Sequence, residues 1–348
     1  MTDTQWETLL SVIRGERIEP IPVGLIVDSP WVPGWAGISM LDYFSDEVSW
    51  LAVNLKVVET FPEIMFLPGF WAEFGMCTEP SAFGAKCVWF ENTFPSVEKV
   101  LYDYAEVERL KKPNCRTDGM LPYVIKRLVH CRAAIEQAGH RIRFAVARGP
   151  LNIASYLLGH TELLLGVKVA SESVHRLLEI VTEFLVDWIG FQADTFDSID
   201  GILLLDDLVG FLGDGDFQQF ALPYLKRVFA SRKVSVRMLH NDAYGLVTAQ
   251  HLAAMGANVF NFSFQHSLGR MRREAGEEVV LLGGVPPRDV LALGTPQDVR
   301  QSAREALATL GDLRRVILSA GGGTAPGTPG ENLAALCEAA RSRPETTP

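Results

Sequence analysis

Positive charge, cysteine pairs and long apolar runs are all scarce in this chain. Lys and Arg total 32 against 42 acids, a formal net charge of −10. The clustered cations that a phosphate backbone demands are therefore missing, which excludes nucleic acid as a partner. The five cysteines, Cys77, Cys87, Cys115, Cys131 and Cys337, are odd in number, far apart and form no CxxC. They suggest neither a disulfide framework nor a cysteine zinc site. No apolar run approaches the roughly 20 residues of a membrane helix, so no membrane association is expected. Met1 to Arg17 carries acids and no apolar core of signal-peptide length, and the expected location is a reducing cytoplasm.

What is present is apolar and periodic. Of 348 residues, 48% are hydrophobic and 21% charged, the balance of a globular protein with a large core. Short apolar runs alternate with helical-period stretches almost from end to end, which reads as repeated βαβ units. Strands are expected at Pro22–Val27, Ile64–Leu67, Ile142–Ala147, Ile202–Leu205, Ser235–Leu239, Val259–Phe262, Val279–Leu282 and Val316–Ser319. Eight such runs predict a closed (β/α)8 TIM barrel, an α/β fold in one domain spanning residues 1–348. Helices are expected at Gly119–Ala138, Gly166–Thr195, Asp216–Ser231, Thr295–Leu310 and Glu331–Arg341, and a frayed tail from Ser342. Phe70–Leu101 breaks the alternation with Phe, Trp, Gly, Pro and β-formers. It is expected as a hairpin or loop inserted after the second strand, outside the barrel.

In a barrel, residues just past each strand converge on one face. Those positions hold Asp28 with Trp31 and Trp35, then Arg148, Asp206 and Asp207, then His240, Asn241 and Asp242. Asn261 with His266 and the loop Gly321-Gly322-Gly323 complete the set. Such a gathering of ionisable groups points to an enzyme. His240 and Asp242 lie two apart on extended backbone and so face the same way, able to share a metal or a substrate. The alternative is a strand-end histidine bonded by its neighbour to hold a loop. Of Asp206 and Asp207, one is expected to act and one to cap a loop. Arg148 requires an anion, either an internal acid or a substrate carboxylate. The glycine run either cradles an anion on Gly322 and its neighbours or is a tight turn. His130, His140, His160, His175 and His251 fall in or beside helices and are expected on the surface.

Several segments resemble the uroporphyrinogen decarboxylase superfamily, in order and over roughly residues 15 to 340. Arg148-Gly149-Pro150 through Ala154-Ser155-Tyr156-Leu157 to Gly159 resembles that family's "GAPWTLASYLIEG". Leu205-Asp206-Asp207-Leu208-Val209-Gly210, with Phe217 and Leu222-Pro223-Tyr224-Leu225, resembles "FDSWAG…F…LPYL". Gly284-Val285-Pro286-Pro287 stands at "GNLDP", and Gly321 through Asn332 resembles "GHGI…TPPEN". The resemblance implies the barrel fold. It also implies that Tyr156 is the counterpart of a substrate-site tyrosine. The decarboxylases' arginine-rich first loop is Asp28-Ser29-Pro30-Trp31 here, their aspartate after the second strand is replaced near Pro68, and their GHG histidine is Gly322. A porphyrin bearing many carboxylates would lack cationic partners.

The family's other large branch comprises zinc methyltransferases that work with corrinoid proteins. Its zinc ligands are His-x-Cys after the fifth strand and a cysteine in the last glycine loop. His240 matches, while Asp242 and Gly322 replace the two cysteines, so no thiolate zinc site is expected. A divalent metal of harder character on His240 and Asp242, completed by Asp206 or Asp207, remains open. The expected function is methyltransferase-like action on a small anionic substrate, with a corrinoid protein as partner. In that reading His240, Asp242, Asp207 and Tyr156 form the catalytic set, and Arg148, Asp28, Trp31, Trp35, Asn261 and Gly322 bind substrate. The alternatives are a decarboxylase or other lyase in which Arg148 grips the carboxylate, and a non-catalytic ligand-binding barrel. A monomer or a homodimer fits equally.

Overall fold

The computed structural model describes residues 1–27 and 30–342. Its ten strands are β1 (Val23–Ile26), β2 (Ile64–Leu67), β3 (Cys87–Val88), β4 (Ser96–Val97), β5 (Phe144–Arg148), β6 (Gly201–Leu205), β7 (Val236–Asn241), β8 (Val259–Phe262), β9 (Val280–Val285) and β10 (Val316–Ala320). Eight of them form one parallel sheet in the order β2-β1-β10-β9-β8-β7-β6-β5. All eight expected strands are therefore present, with helices between them.

The sheet curls into a (β/α)8 barrel, and its lumen is packed with side chains taken from alternate positions. Ile26, Met65, Leu67, Phe144, Val146, Leu203, Leu205, Val236, Met238, Val259, Val280, Leu282 and Ile317 form one buried cluster to which every barrel strand contributes. Met1, Trp6, Leu9 and Val12 join it, so the helix Asp3–Ile13 plugs one end; Trp6 meets Phe144 edge-on at 5.4 Å. The outward-facing residues pack against the helices in a second, larger apolar cluster. Strands buried on both faces explain why the runs are apolar at nearly every position.

Register then sets up the chemistry. Arg148 pairs with Leu205, Leu205 with His240, His240 with Asn261 and Asn261 with Leu282. These residues form one row across β5 to β9, in which Arg148, His240 and Asn261 stand level with Leu205 and Leu282 at the top of the lumen's apolar packing. The strands run further than their apolar cores, so Arg148 ends β5 and His240 lies within β7, one residue before its end, instead of following them.

Several helices correct the sequence expectation. Gly166–Thr195 is two helices, His160–Val169 and Ser171–Thr195, with Ala170 non-helical between them. Asp216–Ser231 is likewise split into Asp214–Phe220 and Leu222–Ala230. Pro223, which lacks an N–H for a continuous helix, sits in the first turn of the second. Among the described residues no helix is long and apolar enough to cross a membrane.

The inserted segment does form a hairpin, β3 against β4, preceded by a short helical turn at Pro80–Phe83. It lies outside the barrel wall but folds over the mouth, contributing buried residues to the site.

Candidate functional site at the barrel mouth

A cavity of about 280 Å³ opens where the strands end. One wall comes from strand ends: Arg148 of β5, Asp207 beyond β6, His240 of β7 and Asp242 beyond it. Asn152 and Tyr156, on the helix Pro150–Leu158, flank them. The facing wall is apolar and comes from the insertion, as Trp71, Met76 and Phe94. Pro30 and Gly323 through Pro326 close the rim. The convergence of Arg148, Asp207, His240 and Asp242 expected from strand-end logic is thus observed.

Alternation along β6 separates the paired acids. Leu203 and Leu205 point into the lumen, so Asp207 continues their face and Asp206 turns toward the helix layer. Asp206 is fully buried and accepts from the backbone N–H of Leu151 at 2.9 Å and of Asn152 at 3.1 Å. It thereby caps the helix Pro150–Leu158, whose own N-cap, Gly149, has no side chain to do so. A Cβ on Gly149 would lie 2.2 Å from Asp206 Oδ2, so this close approach requires glycine. Burial pushes the Asp206 carboxyl well above its ordinary range, against the pull of the two backbone N–H groups. The expectation of Asp206 as a metal ligand is corrected: its two oxygens are committed to the backbone, and it is Asp207 that borders the cavity.

Asp207, His240 and Asp242 each offer one ligand atom, all within 4.8 Å of one another. His240 Nε2 lies 3.8 Å from Asp207 Oδ1, which also accepts the Asp242 backbone N–H at 3.0 Å. Nδ1 of His240 is bonded to Asn261 Oδ1 at 2.7 Å. The Asp242 carboxylate borders the open cavity. Surrounding protein displaces enough bulk water to raise its pKa, Asp207's charge raises it further, and His240 opposes both. Gly322, at φ +120°, would carry a Cβ only 3.1 Å from Asp242 Oδ2. The last glycine loop therefore abuts Asp242, and its tight turn leaves that carboxylate room.

Arg148 turns out to have internal partners. Its guanidinium meets Glu73 at 2.9 Å and Glu79 at 3.3 Å, and its backbone N–H donates to Glu79 at 3.2 Å. All three side chains are almost fully buried. Burial alone would favour the neutral guanidine, but the two carboxylates outweigh it and hold the arginine more firmly charged. Burial raises the Glu79 carboxyl despite Arg148 beside it. Of the two anions foreseen for Arg148, the internal acids are the ones present, which corrects its assignment as a substrate-carboxylate ligand.

Other expected substrate contacts are also corrected. Trp31 is fully buried, donates its indole N–H to Thr328 O at 2.9 Å and stacks on Phe66. Trp35 packs on Trp31 and Phe61, with Lys56 over its ring at 5.2 Å. Neither lines the cavity. Asn261 sits behind His240, fully buried. Asp28 lies outside the described residues. Tyr156 does line the cavity, its phenol donating to Met76 Sδ at 2.8 Å, and burial raises its pKa. His140, expected on the surface, is buried against Phe70. Sequence reasoning missed Trp71, Glu73, Met76, Glu79 and Phe94. The available signal was that Glu73 and Glu79 are the only acids between Phe70 and Phe90. Acids in so apolar a stretch need a buried cation.

This geometry can be set beside known proteins. The uroporphyrinogen decarboxylase (URO-D) family model matches residues 4–343. A uroporphyrinogen decarboxylase of Dichelobacter nodosus is 25% identical, over 96% of this chain and 96% of that protein. One from Azoarcus is 24% identical over 75% of this chain and 74% of its own length. Among solved structures, a methyltransferase from Methanosarcina mazei superposes with a TM-score of 0.80 at 21% identity, covering 95% of this chain and 96% of the other. A B12-independent methionine synthase from Shewanella matches at a TM-score of 0.56 and 13% identity, covering 92% and 96%. From its first helix to its last, this chain belongs to the uroporphyrinogen decarboxylase family.

Proposed function

We propose that this family member is a metal-assisted enzyme that transfers a methyl group to or from a small substrate. The observation that carries the reading is the trio Asp207, His240 and Asp242, with three ligand atoms within 4.8 Å at the floor of a cavity. The donor set fits a divalent cation: two carboxylates and an imidazole are enough for three protein ligands, with substrate or water completing the shell. Carboxylate oxygens favour a harder ion than a thiolate site would. Among the described residues no cysteine lines this cavity. Bound there, the cation would supply Lewis-acid polarisation of a substrate heteroatom.

The chain's own groups do the rest. Asp207 and Asp242 would hold and neutralise the cation, and His240 would present Nε2 to it. Trp71, Met76 and Phe94 form an apolar wall that suits a methyl group. Tyr156 stands at the edge, where its phenol oxygen can accept a hydrogen bond while its O–H is held by Met76. The anionic or polar atom of the substrate is assigned to the cation, since Arg148 is already compensated by Glu73 and Glu79. That same compensation weighs against decarboxylation, which called for Arg148 to grip a carboxylate. The likeness in fold to the Methanosarcina methyltransferase supports methyl transfer. A corrinoid protein is the proposed partner. Phe211, Tyr244 and Phe264, exposed on the loops after β6, β7 and β8, supply an apolar rim for it.

The test is methyl transfer from methylcobalamin to a panel of small thiols and alcohols, using metal-loaded and chelator-stripped protein. Transfer that needs the metal and is lost in His240→Ala is expected. Release of CO2 from small carboxylic acids by the stripped protein would contradict the reading.

A further inference from the structure

His240 has two ring nitrogens, and which of them works depends on where its proton sits. In water the neutral imidazole prefers its proton on Nε2, the nitrogen that here faces Asp207. The neighbouring Asn261 can reverse this preference. It sits beside His240 on β8, in register with it, and is fully buried. Its amide nitrogen donates to Leu282 O of β9 at 2.9 Å and to Ala320 O of β10 at 3.1 Å. Backbone carbonyls only accept. A flipped amide would place Oδ1 against both of them and strip two buried oxygens of their donors. The amide therefore has one orientation, with Oδ1 toward His240 Nδ1 at 2.7 Å. An oxygen whose amide has no donor on that side can only accept, so Nδ1 must carry the hydrogen.

We infer that Asn261 is a positioning residue that fixes the proton of neutral His240 on Nδ1 and so delivers Nε2, as a lone pair, to the cavity. Four adjacent strands take part: β9 and β10 orient the amide, and the amide on β8 orients the ring on β7. The inference rests on His240 being the working histidine of the proposed site, but not on the identity of any metal. A bare Nε2 serves equally as a ligand or as a proton acceptor.

Ring-15N-labelled histidine makes this measurable, because the chain has only 7 histidines. Two-bond 1H–15N spectra identify the protonated nitrogen, and His240→Gln assigns the signal. The wild type is expected to show Nδ1–H with bare Nε2. Asn261→Asp, which keeps an acceptor, should retain the proton on Nδ1, whereas Asn261→Leu should show protonated Nε2. Co2+ affinity, followed by its visible spectrum, should fall roughly ten- to a hundred-fold in Asn261→Leu. A wild-type spectrum with the proton on Nε2 overturns the inference whether or not the variants fold. So does a folded Asn261→Leu protein that keeps Nδ1–H. Nδ1–H in a wild type that binds no Co2+ would sustain the inference while removing the metal reading.

Discussion

The two walls of the cavity differ in origin and in how they are held. The strand-end wall is built by the sheet itself: β6, β7 and β8 lie in register, so Asp207, His240 and Asp242 arrive together by counting twos along the chain. The facing wall is an insertion with only a two-residue hairpin of its own. It is fastened by packing of Phe70, Phe74, Cys77 and Phe83 into the outer apolar core and by one buried ion cluster, Glu73–Arg148–Glu79. The polar wall is carried by barrel backbone; the apolar wall is carried by packed side chains and is tied to the strand ends through Arg148. Arg148 is thus best understood as the bolt between the walls. A barrel can in this way keep its chemistry fixed while the shape of its pocket is set by an attached segment.

The largest effect should come from drawing that bolt. Arg148→Met leaves two buried carboxylates without a cation, and stability should fall by about 3–5 kcal/mol, measured by urea unfolding. Protease sensitivity should increase first within Phe70–Leu101. An unchanged midpoint would mean that the walls are joined by other contacts.

The adjacent acids give the next contrast. Asp206→Ala strands two backbone N–H groups and should cost about 1–3 kcal/mol with metal affinity little changed. Asp207→Ala should reverse this pattern. It should cost about 1 kcal/mol or less and weaken metal binding by roughly tenfold or more. Calorimetric unfolding and metal titration of both variants separate the roles.

A smaller effect is expected in pH dependence. Burial raises the folded pKa of Glu79, so the folded state binds its proton more tightly than the unfolded chain. The stability linked to this group is complete below the ordinary carboxyl range and is lost as pH rises through the raised value. Glu79→Gln does not titrate. Unfolding curves over that window should therefore show the wild type losing ground to the variant as pH rises. Parallel curves would place Glu79 in a less dry setting.

The mildest change in stability should come from Trp71→Ala. It enlarges the cavity from the half-buried insertion side and should raise KM for a methyl-bearing substrate with kcat little altered. A fall in kcat at constant KM would move Trp71 from binding to chemistry.

The same contrast explains what could be read from the sequence. The strand-end wall was legible because parallel strands announce themselves as apolar runs and the residue after each run must reach the mouth. Which of Asp206 and Asp207 turns inward was not legible. The run Gly201–Leu205 is buried on both faces, so no polar alternation marks which face is the lumen. The insertion wall was legible only as an interruption. Its residues reach the site through a chain path without period, and Trp71 cannot be told from Trp31 by composition. Both follow a strand end by a similar number of residues, yet Trp31 packs on Phe66 outside the cavity while Trp71 lines it. The ion cluster joins residues about 70 positions apart, with |i−j| of 75 and 69, and no local pattern encodes such a pairing.

The central claim is that the strand-end wall holds a divalent cation between Asp207, His240 and Asp242. Crystals grown with Mn2+ and measured at its absorption edge test this most directly. The account predicts one anomalous peak in the cavity, bonded to a carboxylate oxygen of Asp207, Nε2 of His240 and a carboxylate oxygen of Asp242, and absent from His240→Ala crystals. A peak held elsewhere, or an intact cavity without one at saturating Mn2+, would contradict it.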